Sequence, residues 1–175
     1  MNPMQPTLYI MVGYPGSGKT TTSKIIAELT GAEHLWADHE RHKLFIHPTH
    51  TEHESQELYR RLNAHASHLL SEGKSVVFDT SFNFPKDRDY MRAIAAKHGA
   101  RVVVVRVDAP KELAKTRALH TEHAGHNHYI NTMSPDDFER IAGHLHEPSP
   151  DEQPVVLDGT KITPEYVAAQ LGITR

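Results

Sequence analysis

LYIMVGYPGSGKTTTSKIIAEL, residues 8–29, is the stretch from which the rest of the chain is read. It opens with an apolar, strand-like run, Leu8 to Val12. It turns through Gly13-Tyr14-Pro15-Gly16-Ser17-Gly18 and continues from Lys19-Thr20-Thr21 into a helical pattern. Gly13 and Gly18-Lys19-Thr20 fit G-x-x-x-x-G-K-[ST], a phosphate-cradling loop. Glycines admit backbone conformations closed to other residues and let the chain approach a ligand closely. Successive N–H groups then converge at the positive end of the following helix. Lys19 adds a mobile cation for terminal phosphates, and the Thr20 hydroxyl suits Mg²⁺. Residues Gly13 to Thr21 are therefore the candidate binding segment for a nucleoside triphosphate.

The 175 residues suffice for one domain with a real core, so residues 1–175 are expected to form a single domain. The hydrophobic fraction of 38% and mean hydropathy of −0.55 fit a soluble globular protein. No apolar run approaches the length of a membrane span. Met1 to Pro6 lacks the basic start and apolar core of a secretory signal, which points to the cytoplasm. There is no cysteine, so disulfides and thiolate metal sites are excluded. A net charge of −3 disfavours broad adhesion to nucleic acid or anionic membrane.

Along the chain, strand-like and helix-like segments alternate. Strands are expected at 8–12, around His34-Leu35-Trp36, at 75–78, at 101–107 and at 155–157. Helices are expected at 19–30, from Asp38 to about Phe45, at about 54–71, 85–98, 110–119, after Ser134, and at 163–171. His120 to Thr132 has no periodicity and reads as a loop, and Pro148 to Pro154 reads as a polar linker. Such alternation predicts an α/β domain with a mostly parallel sheet and helices on both faces. Ligands in such sheets bind beyond the carboxyl ends of the strands. Those ends carry the phosphate loop, Asp38 to Arg41, Asp79 to Asn83, Asp108, and Asp158 to Thr160.

Asp79 closes the apolar run VVFD, the layout in which a carboxylate beside the loop orients Mg²⁺. Asp38 and Arg41, three apart at a helix start, share a face. A carboxylate and a guanidinium there suit an acceptor hydroxyl and its neighbouring phosphate or carboxylate. The competing account is a helix-capping Asp38 beside a solvated Arg41.

The ordered set GYPGSGKT, Asp38-x-x-Arg41, VVFDTSFN followed by Arg88, and Asp108 to Arg117 resembles P-loop kinases of the polynucleotide-kinase and zeta-toxin type, over Leu8 to about Thr160. The resemblance implies a P-loop NTPase fold with a five-stranded parallel core and a lid, about 117–140, between strands 4 and 5. It implies that Lys19 and Thr20 handle ATP and Mg²⁺, that Asp38 is the acceptor-side base, and that Arg41 binds the acceptor, with Arg88 in a further arginine slot on the substrate side. Arg117 falls where the lid begins and is the candidate to close over the transferring phosphoryl group. The second lid arginine typical of polynucleotide kinases is absent near His120 and Thr121, leaving Arg117 alone or with Arg140.

The activity implied is an ATP-dependent kinase acting on a hydroxyl acceptor: a small alcohol, a nucleotide sugar or a 5′-hydroxyl nucleic-acid end. The other classes are an ATP-hydrolysing switch acting through a protein partner, and a toxin-like kinase with an inhibitor protein. The chain also has 15 histidines. His120, His123, His126 and His128 form one cluster, and His39, His42, His47, His50 and His53 another. Most read as solvated surface groups, with metal binding and phosphate contact as the alternatives.

Overall fold

The computed structural model describes residues 4–120 and 133–174. Five strands form one parallel sheet in the order β2-β3-β1-β4-β5: β1 Thr7–Val12, β2 Glu33–Trp36, β3 Val76–Asp79, β4 Arg101–Asp108 and β5 Val155–Asp158. β1 is central, pairing Tyr9 with Val77 of β3 and with Val103 of β4. Its six residues are all buried, as a strand covered on both faces requires.

Alternation along β1 sorts the core into two layers. Leu8, Ile10 and Val12 pack under α3 (Glu52–Ser71) and α4 (Pro85–Lys97), against Leu58, Leu62 and Met91. Tyr9 and Met11 face the opposite layer, where α1 (Lys19–Thr30) and α7 (Pro164–Leu171) contribute Ile25, Ile26 and Val167. Each large side chain so buried stabilises the fold by roughly 1.5–3 kcal/mol. A third cluster joins α5 (Lys111–His120) to α6 (Pro135–Ala142) through Ala114, Ala118, Phe138 and Ala142. Glu139 of α6 also bridges Lys111 and Lys115 of α5, each at 2.8 Å.

Two boundaries differ from expectation. α2 spans Ala37–Leu44 with Trp36 at its N-cap and no side-chain cap, so Asp38 lies inside the first turn. The cause is burial of Ala37, which carries the chain from β2 directly into the helix. α3 begins two residues earlier than expected because the Thr51 hydroxyl accepts a hydrogen bond from the Glu54 N–H and caps it. The polar linker contains a short 3-10 turn, Pro150–Glu152, closed by a capping box between Ser149 and Glu152. Among the described residues, no helix is long and apolar enough to cross a membrane.

Candidate active site

Parallel strands deliver the phosphate loop, Asp38 and Asp79 to the same end of the sheet. Gly18 precedes α1 at φ 112°, and no side chain caps that helix. The N–H groups of its first turn therefore have neither helical nor side-chain partners. Two loop glycines are required by space. A Cβ on Gly13 would lie 2.6 Å from Ser17 Oγ and 2.7 Å from the Val107 carbonyl oxygen. One on Gly16, at φ +80°, would lie 2.2 Å from the Ala114 carbonyl oxygen. α5 thus packs its backbone directly on the loop. Tyr14 lies beside Phe138 of α6, ring centroids 6.4 Å apart, and beside the Arg106 guanidinium at 5.9 Å. Pro15 completes the outer turn, half-buried like Tyr14.

Lys19 folds back so that Nζ donates to the carbonyls of Gly13 at 3.0 Å and Tyr14 at 2.7 Å. Burial pulls its pKa down to about 8, against the charges of Asp79 and Asp38 that favour the ammonium form. Ser17 Oγ is buried without a hydrogen-bond partner. An unpartnered buried hydroxyl and uncapped N–H donors fit a ligand rich in acceptor oxygens, as a triphosphate is. Thr20 is half-buried, Thr21 is exposed, and Asp79 is buried. Thr20 and Asp79 offer hard oxygen donors of the kind Mg²⁺ prefers. Asp79 Oδ2 is 3.0 Å from His34 Nε2.

Asn83 clasps the loop from the end of β3. Its Oδ1 accepts from the Gly13 N–H and its Nδ2 donates to the Gly13 carbonyl, both at 3.2 Å. Asn83, His34 and Arg106 were not among the predicted site residues. Asn83 lies in the quoted stretch VVFDTSFN, but its partner is 70 residues away. Position just after a strand was the available signal.

Asp38 sits in the crevice mouth. More than a third of its surface meets solvent, yet protein atoms surround it closely enough to penalise its charge. This desolvation raises its pKa, and the Asp79 charge adds to the rise, opposed by Arg41, His50 and Lys19. A carboxylate so shifted is a better proton acceptor than a solvated one.

The arginines are placed differently from expectation. Arg41 is buried, with Nη1 donating to Glu54 Oε1 at 2.6 Å and Nη2 to Ser55 Oγ at 3.1 Å. It is neither solvated nor an open fork for an acceptor anion. Arg88, expected on the substrate side, is placed in the interior instead. It is fully buried, donates from Nε and Nη2 to the two carboxylate oxygens of Glu152, and from Nη1 to the Phe82 carbonyl. Its fork ties α4 to the turn before β5, with each of its three nitrogens bonded within the protein. Arg117 is half-buried, and Nη1 donates to the Gly159 carbonyl at 3.1 Å. That carbonyl lies at the loop: a Cβ on Gly18 would be 3.8 Å from it. Arg140 points to Asp137 on the surface, 3.4 Å away.

Among the described residues, no group of three or more histidine and acidic side chains is placed to hold a metal. His123, His126 and His128 lie outside the described residues. His39 stacks on Trp36, which stacks in turn on His34.

A parallel sheet in this order, with a phosphate loop at β1 and a carboxylate at the end of β3, has the P-loop kinase-like fold. The AAA domain family AAA_33 matches residues 8–140, and the chain belongs to that family. Three solved structures share the fold. A sugar kinase from Janibacter sp. HTCC2649 is 24% identical, covering 97% of this chain and 96% of its own, with a TM-score of 0.68. The APS kinase CysC of Mycobacterium tuberculosis is 20% identical, covering 98% of each chain, with a TM-score of 0.69. A gluconokinase from Sinorhizobium meliloti 1021 is 18% identical, covering 98% of this chain and 92% of its own, with a TM-score of 0.64. No curated protein matches the sequence.

Proposed function

We propose that this chain, acting as a single domain over residues 1–175, transfers the γ-phosphate of ATP to an acceptor hydroxyl; the segment expected as a lid, about 117–140, lies partly outside the described residues. The observation that carries this is Asp38. Its carboxylate shares one crevice with Lys19 and Asp79, near enough for their charges to act on it, and its pKa is raised. A protein that only bound nucleotide would have no need of a proton acceptor on that side. In the step proposed, the acceptor oxygen bonds to the γ-phosphorus and its proton passes to Asp38. The bond from the γ-phosphorus to the β–γ bridging oxygen breaks, leaving ADP. Lys19 steadies the terminal phosphates, and Arg117 offsets charge on the transferring group. Gly13, Tyr14, Pro15, Gly16, Ser17, Gly18 and Thr21 complete the cradle. Mg²⁺, held by Thr20 and Asp79, would neutralise phosphate charge.

Kinase neighbours support this class. The M. tuberculosis APS kinase structure holds AMPPNP and APS, so the shared fold accommodates a nucleotide with a second substrate. The test is transfer of labelled γ-phosphate to a panel of alcohols, sugars, nucleotide sugars and 5′-hydroxyl oligonucleotides. Product is expected with at least one class and none with Lys19→Ala. ATP hydrolysis without transfer to any of them decides for the switch.

A further inference from the structure

Given the kinase reading, on which this inference rests, we propose that the acceptor is an uncharged, hydroxyl-rich compound, a polyol, sugar or nucleoside, and not a phosphorylated or carboxylated one. The reason is Glu54. In a site built for an anionic acceptor, the arginine facing it presents an open fork to phosphate or carboxylate. Here Glu54 already accepts from Arg41 at 2.6 Å, and both side chains are under a tenth exposed.

Glu54 is not a carboxylate that swings aside. Oε2 accepts from the Thr49 N–H at 2.7 Å and the Thr49 hydroxyl at 2.9 Å, while Oε1 also accepts from the His50 N–H at 3.2 Å. These bonds knot α2, the loop between α2 and α3, and the first turn of α3 around one negative charge. An anion arriving at Arg41 meets a guanidinium whose charge is offset and a fixed carboxylate just behind it. It also meets Asp38 and Asp79, whose charges already disfavour one another.

No other strong cation on these helices is unopposed. Lys43 pairs with Glu40 at 3.2 Å, and Arg60 and Arg61 share Glu57 at 2.9 and 2.7 Å. Lys19 is bonded to the loop carbonyls and belongs to the phosphate side. The groups that remain suit hydroxyls. Asp38 accepts a hydroxyl proton, and His42 and His50, near Asp38, carry imidazole nitrogens of a kind that bonds hydroxyls.

The experiment uses the full-length protein with Mg²⁺-ATP and matched acceptor pairs that differ by one anionic group: glucitol with gluconate, adenosine with adenosine 3′-monophosphate, and glycerol with glycerate. The uncharged member of the pair that reacts is expected to lead by ~10-fold or more in kcat/KM, the scale of one charge interaction at a partly screened site. Glu54→Gln, checked for folding by its melting curve, is expected to shift that ratio toward the anionic member by ~10-fold, because Arg41 then faces outward charge without an offset. Equal rates, or a lead for the anionic member in the wild-type protein, overturn the inference and leave the kinase reading standing. Transfer to no member of these pairs, with labelled phosphate passing instead to a nucleotide sugar or a 5′-hydroxyl oligonucleotide, overturns this inference alone; ATP hydrolysis with transfer to none of the acceptors overturns the kinase reading and this inference with it. If Glu54→Gln does not fold, the wild-type ratios alone decide.

Discussion

Replacing Arg88 by methionine separates a structural arginine from a substrate-binding one. The guanidinium is fully buried, and its Nε and Nη2 lie 2.6 and 3.2 Å from the Glu152 carboxylate. Burial pushes the Glu152 pKa up, but the bonds from Arg88 and from the Ser149 N–H outweigh it and hold the carboxyl below its usual range. Methionine fills much of the volume but leaves Glu152, 5% exposed, without its partner. Removing one member of a buried pair costs about 3–5 kcal/mol, because the other charge stays desolvated. For a chain of this size each kcal/mol moves Tm by about 2–4 °C, so a fall of roughly 6–20 °C is expected. The double variant Arg88→Met with Glu152→Gln should recover at least half of that loss, since no bare charge remains. Melting curves and ATP titration of the folded variant check both points, with ATP affinity expected near wild type. A Tm shift below about 3 °C together with a raised acceptor KM would refute this reasoning and return Arg88 to the substrate side.

Asp38→Asn is expected to keep ATP affinity and lose most transfer, read by nucleotide titration beside a kinase assay; a wild-type rate would mean Asp38 takes no part in the chemistry. Arg117→Ala should lower kcat by about two to three orders of magnitude with ATP affinity near wild type, and cost about 1 kcal/mol for its bond to Gly159. Arg117→Lys should rescue kcat poorly, because a point charge cannot bridge two phosphate oxygens, and a kcat within about threefold of wild type for Arg117→Ala would remove Arg117 from the mechanism. Gly16→Ala places a Cβ 2.2 Å from the Ala114 carbonyl at φ +80°, and should destabilise by about 2 kcal/mol or more and weaken nucleotide binding; an unchanged melting curve counts against the close packing of α5 on the loop. Glu54 has its pKa lowered to about 2: burial opposes the shift, and bonds from Thr49, Arg41 and His50 overcome it. Its contribution is complete above the ordinary value of 4.5 and is lost as pH falls through about 2. The shift corresponds to about 3 kcal/mol, of which solvent close behind the thin Thr49–His50 cover leaves about half. Urea unfolding below pH 4.5 should therefore steepen for wild type relative to Glu54→Gln, and parallel curves would exclude the effect.

What was readable from the sequence was local. Residues 8–20 announce strand, phosphate loop and helix within one contiguous segment, because backbone conformation there depends on the glycines themselves. The inner strands β1, β3 and β4 were readable because helices cover both sheet faces and leave continuous apolar runs such as Val102 to Val105, whereas the edge strands β2 and β5 are only partly buried. The parallel order of the strands made it predictable that Asp38 and Asp79 would meet the loop. Pairing across the fold was not readable. Glu54 on Arg41 spans 13 residues, Gly159 on Arg117 spans 42, Glu152 on Arg88 spans 64, and Asn83 on Gly13 spans 70. An arginine after a strand looks the same in sequence whether its fork opens to a substrate or closes on a carboxylate. Which one it does depends on where helices from distant parts of the chain cross above the sheet, and that is settled only when the core packs.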